Sequence, residues 1–125
     1  MNGQTREDVS MHETAVVEGL MRILTDHAKQ NGVDRVVAVR LKIGKLRGID
    51  SRQIRLAFEI FAEGTLAEGA RLDIDEVGVT AKCRTCGTVF AVEKYQFVCS
   101  GCGGSDADVL TGRELYIESF EAAKG

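Results

Sequence analysis

Two Cys-x2-Cys pairs, Cys83/Cys86 and Cys99/Cys102, constrain this chain more than any other feature. Twelve residues separate the pairs, and a glycine follows each one, Gly87 and Gly103. Two thiolates three positions apart in a tight turn can bind one metal, and the glycine lets the backbone curl beneath the sulfurs. Two such knuckles facing each other make a tetrahedral four-sulfur shell. That shell suits zinc and leaves no open position for water or substrate, so the expected metal is structural. Val89, Phe90, Val92, Tyr95, Phe97 and Val98 can supply only a miniature core around it. The metal should therefore contribute most of the folding free energy of this segment, on the order of ten kcal/mol in small zinc modules. Disulfides and a rubredoxin-type iron centre are the alternatives; four sulfurs hold either metal, and iron would imply electron transfer.

The rest of the chain narrows those choices. No apolar run approaches the length of a membrane span, and Met1 to Ser10 lack the apolar stretch of a signal peptide. A cytoplasmic protein is expected, and thiols there stay reduced, which favours metal over disulfides. The 125 residues allow one domain with a small module, and a formal net charge of −3 argues against nucleic acid as a partner. A zinc-ribbon module that binds protein or nucleic acid is the alternative function: the stretch Arg35 to Arg47 offers a modest basic footprint in Arg40, Lys42, Lys45 and Arg47, although strand alternation would place such residues on a solvated face.

Hydrophobic periodicity gives the organisation. Val16, Val17, Leu20, Ile23, Leu24 and Ala28 recur at helical spacing from Glu13 to about Gln30, and Asn31-Gly32 ends the run. Val37, Val39, Leu41 and Ile43 alternate with Ala38, Arg40 and Lys42 as a half-buried strand that stops at Gly44. A loop, Gly44 to Ile49, leads to a second helix that Asp50 or Ser51 can cap, with Ile54, Ala57, Phe58 and Phe61 as its buried stripe. A second strand is expected over 71–79 with Leu72 and Ile74 on one face, and a last one over 113–120 with Leu115 and Ile117 inward. The fold class is α+β: two helices cover a three-stranded sheet, and the four-cysteine module is inserted between the second and third strands. The expected division is a polar extension over 1–10, an α/β domain over 11–79 and 112–121, and a zinc module over 80–111. Residues 83–102 hold every cysteine, no other nucleophile has a histidine partner, and no Walker-type glycine loop exists, so no enzyme is expected.

Only two histidines occur. His27 reads as an ordinary surface residue late in the first helix, whereas His12 sits in Met11-His12-Glu13, just before the apolar run. Spacing alone makes Ser10-x-x-Glu13 a capping box, and Asp50-x-x-Gln53 has the same form. From Met11 to about residue 121, however, the chain resembles the HypA/HybF hydrogenase maturation factors. The resemblance rests on Met11-His12-Glu13, on Ile43-Gly44-Lys45-Leu46-Arg47-Gly48-Ile49-Asp50 and on Phe58-Glu59. It continues through Glu63-Gly64-Thr65, the cysteine pairs and the segment Gly112 to Ser119.

That resemblance implies a nickel metallochaperone, serving the nickel-iron centre of hydrogenase, with a maturation GTPase (HypB) and the hydrogenase large subunit as partners. It implies nickel ligands at Met11, His12 and Glu13, with Asp50 assisting. Planar nitrogen donors suit Ni(II), while tetrahedral sulfur suits zinc, so one small chain can hold two metals apart. Here the chain departs from the family pattern. Ten residues precede Met11, so its nitrogen is an amide that must lose a proton to bind metal. The expectation is a working chain that begins at Met11; otherwise nickel must use His12 differently.

Overall fold

The computed structural model describes residues 11–123, with side chains from Glu13 onward. Helix α1 spans Met11–Gln30. Its buried line is Val17, Met21, Leu24 and Ala28, spaced by four, three and four residues. Ile23, expected inside, is 52% exposed, and Met21 takes its share of the core. The end of α1 is built as anticipated: Gly32 has a φ of 66°, and the Val33 amide reaches back to the Ala28 carbonyl at 2.8 Å. The first residue of the Ser10/Glu13 capping box lies outside the described residues.

Strand β1 covers Val36–Gly44. Val39, Leu41 and Ile43 are buried as the alternation requires, but Val37 is exposed and Val36 and Ala38 are buried on the other face. A 3-10 turn, Lys45–Arg47, follows and leads to helix α2, Ser51–Ala62. Asp50 caps α2 by accepting the Arg52 amide at 2.9 Å. Ile54, Ala57, Phe58 and Ala62 are its buried residues, so Ala62 and not Phe61 completes the stripe.

The expected strand over 71–79 is two strands, β2 (Arg71–Val77) and β3 (Val79–Cys83). The break falls at Gly78, which belongs to neither ladder. A glycine inside a strand pattern often marks such a break, because it has no side chain to pack. Strands β4 (Val89–Val92), β5 (Ala107–Thr111) and β6 (Leu115–Ala122) complete the described chain. They assemble into two three-stranded sheets, ordered β2-β1-β6 and β4-β3-β5. The first is the sheet the alternation anticipates; the second is a sheet inside the cysteine segment.

The chain divides into two compact units. One runs through Leu41, resumes over Ile49–Ile74 and returns at Tyr116; the other comprises Lys42–Gly48 and Asp75–Leu115. Within the first unit, Val17, Met21 and Leu24 of α1 share a core with Ile54 and Phe58 of α2, Leu41, Leu72 and Ile117. Helical stripes thus meet the inward face of the strands. Within the second unit, Val79, Ala81, Cys83, Phe90, Val92 and Cys99 form the core, with Leu46, Phe97 and Ala107 packed on it. Val89, Tyr95 and Val98, expected inside, are 58%, 63% and 58% exposed. Phe90 and Val92 take the inner face of β4, so the alternation turns Val89 outward. No helix among the described residues is long and apolar enough to cross a membrane.

Candidate metal centre

The four cysteines come together as two matching turns. Cys83 ends β3, and its carbonyl accepts the Gly87 amide at 2.9 Å; the Cys99 carbonyl accepts the Gly103 amide at the same distance. Gly87 and Gly103 have φ values of 80° and 77°, in the left-handed region where a β-carbon is strained. Each turn is closed by a second bond, Cys83 amide to Thr88 carbonyl at 2.9 Å and Cys99 amide to Gly104 carbonyl at 2.8 Å. The first cysteine of each pair is buried and the second is exposed.

All four sulfurs lie within 4.8 Å of one another. Across the two turns, Cys83 and Cys102 Sγ are 3.6 Å apart, and Cys86 and Cys99 Sγ are 3.5 Å apart. A tetrahedral shell with metal–sulfur bonds of about 2.3 Å has sulfur–sulfur edges of about 3.8 Å. The spacing fits a four-sulfur metal shell, and all four cysteines are free thiols rather than disulfides. Backbone amides point at the sulfurs as thiolates require: Gly101 and Cys102 N–H approach Cys99 Sγ at 3.2 and 3.4 Å. Gly101 must also be small, since a β-carbon there would meet Thr88 Oγ1 at 2.6 Å.

The environment separates the thiols in acidity. Cys86 is pulled down to about 6, first by the Thr88 hydroxyl 3.2 Å away and then by the Thr88 amide. Cys83 is lowered chiefly by the Cys86 amide. At Cys102 the Gly104 amide pulls downward, but hydrogen bonds with the other sulfurs and burial outweigh it and push the thiol up to about 11. A lowered value favours the folded thiolate. For Cys86 that gain is complete above the ordinary 9.0 and disappears as pH falls to about 6. Protons and metal compete for the same sulfurs. Metal affinity of the four-cysteine site, measured by chelator competition, should therefore fall from about pH 8 to about pH 5, with protons released on binding. A pH-independent affinity would contradict thiolate ligation.

Two features near the site have no signal in the sequence. Arg84, the residue after Cys83, bonds Asp106 Oδ1 and Asp108 Oδ1, each at 2.6 Å, and its amide donates to the Asp106 carbonyl at 2.9 Å. This clasp holds the first turn against β5. Thr88 is the second: nothing in its spacing reveals that its hydroxyl faces Cys86.

The other expected metal residues are placed as follows. Met11 and His12 are the first two residues of α1, and their side chains lie outside the described residues. Glu13 is the buried charged residue of the described chain, 6% exposed, and its Oε2 accepts the Asp50 amide at 3.1 Å. The structure therefore joins Glu13 and Asp50, which are 37 positions apart, through the start of both helices. His27 is exposed and lines a separate cavity of about 360 Å³ with Glu118 and Ser119.

Residues 11–122 match the HypA family, described as hydrogenase/urease nickel incorporation, metallochaperone. The chain is 40% identical to the hydrogenase maturation factor HypA of Caldanaerobacter subterraneus subsp. tengcongensis, over 89% of this chain and 98% of that protein. It is 40% identical to the same factor from a Nostoc species, over 89% and 95%. A solution structure of the Ni metallochaperone HypA from Helicobacter pylori superposes with a TM-score of 0.65 at 30% identity, covering 88% of this chain and 96% of that one. A second HypA solution structure gives 0.69 at 31% identity, covering 91% and 98%. With four clustered thiols, an α+β fold and a match that starts at Met11, this chain belongs to the HypA family of hydrogenase maturation factors.

Proposed function

We propose that this chain is a nickel carrier for hydrogenase assembly, not an enzyme, and that a structural zinc sits in the four-cysteine site. The family description supports a role in nickel incorporation, with urease as a further destination. Zinc, when bound, supplies a four-way cross-link. Cys83, Cys86, Cys99 and Cys102 hold it, and the Gly101 and Cys102 amides stabilise the charge on Cys99.

The single observation that carries the nickel reading is the bond from the Asp50 amide to the buried Glu13 carboxylate. It fixes the first turn of α1 beside the cap of α2, so Asp50 stands next to the segment that carries Met11 and His12. Glu13 then assists nickel by holding this geometry, since one of its oxygens is already engaged. Met11 and His12 offer nitrogen donors that suit Ni(II). A cargo site at the beginning of a helix is reachable by a partner, as a carrier needs. The expected recipients are the maturation GTPase HypB and the hydrogenase large subunit, met in the cytoplasm.

Equilibrium dialysis with nickel, together with metal analysis for zinc, tests this reading. A chain beginning at Met11 should bind one nickel per chain, and more tightly than the 125-residue chain, whose Met11 nitrogen is an amide. His12→Ala should weaken nickel by at least about tenfold and keep its zinc, the scale seen when a metal site loses even a supporting group. Unchanged nickel binding in His12→Ala would overturn the site.

A further inference from the structure

The second unit carries a groove that the metal sites do not use. Its volume is about 640 Å³, and Lys45, Gly78, Ala91, Glu93, Lys94 and Thr111 line it. The groove draws on four stretches of the sequence, at Lys45, 77–80, 91–94 and Thr111. The 3-10 turn Lys45–Arg47 is held to the chain after β5 by the Leu46 amide on the Gly112 carbonyl, 2.8 Å, and by Arg47 Nε on the Arg113 carbonyl, 2.8 Å. Lys45, Arg47, Lys94 and Arg113 thus gather on the groove and on the segments beside it, although the whole chain is acidic at −3. No ion pair engages any of these four cations among the described residues.

The wall that carries Lys94 is strained. Lys94 and Tyr95 both have positive φ, 55° and 61°, at the tip of a two-residue hairpin closed by the Gln96 amide on the Glu93 carbonyl at 3.0 Å. Such turns normally take asparagine and glycine, because a β-carbon is unfavourable at these angles. Strain retained at a tip points to use of the side chains it displays. Tyr95, 63% exposed, reaches across so that its hydroxyl donates to the Lys45 carbonyl at 3.2 Å, tying the two walls together. Strand β4, which leads into this tip, is an edge strand of its sheet. An edge strand with free backbone groups can take an extended segment alongside it.

From these observations we infer that the groove lined by Lys45 and Lys94, with Tyr95 beside it, is a docking surface for an extended acidic stretch of a partner protein. The cations select carboxylates, and the exposed tyrosine supplies contact area beside them; Glu93 is the one carboxylate among the lining residues. This goes beyond the nickel reading and does not depend on it, because the groove involves none of the nickel residues.

A short poly-glutamate peptide titrated into the zinc-loaded, 15N-labelled chain tests the inference without nickel. Shifts should concentrate on amides of Lys45, Gly78, Ala91, Lys94 and Thr111, and should weaken as salt rises from about 0.05 to about 0.3 M. The double change Lys45→Glu with Lys94→Glu should weaken binding about tenfold while the rest of the spectrum stays folded. Lys94→Asn relieves the strained tip and should raise the melting temperature while weakening the peptide; Lys94→Arg should keep it bound. Equal binding by the double variant overturns the proposal. So do matching shifts with poly-lysine, matching shifts with a single-stranded oligonucleotide, or shifts at the same amides from concentration alone, which would mark a second copy.

Discussion

Cys99→Ser is expected to unfold the β4-β3-β5 sheet while leaving α1 and α2 folded. Cys99 is 3% exposed, receives the Gly101 and Cys102 amides, and is a member of the core of its unit. Among the described residues six of that core are buried, and two of them are metal-type cysteines, Cys83 and Cys99. Burying a valine or phenylalanine contributes about 1.5–3 kcal/mol, whereas each ordered residue costs about 1–2 kcal/mol of backbone entropy. A sheet and two turns that order far more residues than they bury cannot close that gap by packing. Metal binding in small modules is worth on the order of ten kcal/mol, which is the scale needed. Amide exchange is the measurement. Protection at Ala81, Phe90 and Val109 should vanish in Cys99→Ser and in chelator-treated parent protein, while protection at Leu24 and Phe58 persists. Full protection of the sheet without metal would show that packing alone suffices.

Gly44→Ala should cost more than about 4 kcal/mol, the range that marks a specific structural conflict rather than lost packing. A β-carbon at Gly44 would fall 2.0 Å from the Gly112 carbonyl oxygen, 2.1 Å from its carbon and 2.5 Å from the Arg113 nitrogen. Every obstructing atom is backbone, so no rotamer change relieves it. The crossing is also hydrogen-bonded: the Gly44 amide donates to the Glu114 carbonyl at 2.7 Å. Gly112→Ala should be similarly severe, since its φ of 120° is already unfavourable and its β-carbon would meet Val79 Cγ2 at 2.9 Å. Gly19, within α1, is the control. Nothing lies within 4 Å of its β-carbon position, so Gly19→Ala should stabilise by about 0.5–1 kcal/mol. Chemical denaturation of the metal-loaded chain separates the cases. A Gly44→Ala protein within about 1 kcal/mol of the parent would remove the close crossing as a determinant of the fold.

These glycines mark the limit of what residue patterns reveal. The strand alternation ends at Gly44, which looks like an ordinary stop, and its φ of −76° needs no glycine. Only the opposing Gly112 backbone explains the residue. Helix α1 shows the same limit on a smaller scale. Its periodicity identifies an amphipathic helix, yet Met21 and Ile23 are both apolar, and which one faces inward depends on where the sheet lies. The 71–79 stretch reads as one strand because β-propensity continues across Gly78; pairing with different partners ends β2 at Val77 and begins β3 at Val79.

The sequence by itself determined the metal-type cysteine site, the two helices, the α+β class and the family, because these rest on interactions within a few residues. A Cys-x2-Cys-Gly turn closes on its own backbone, and a helical stripe repeats every turn. Only the tertiary structure decided the contacts that join distant segments: Glu13 to the Asp50 amide, Arg84 to Asp106 and Asp108, Tyr95 to Lys45, and Gly44 against Gly112. Each depends on the packing of whole elements, which fixes distances that no local spacing encodes. The four cysteines belong to both groups. Each turn is written in its own residues, but the 3.5 and 3.6 Å approaches between the turns exist because β3 and its sheet bring the two pairs face to face.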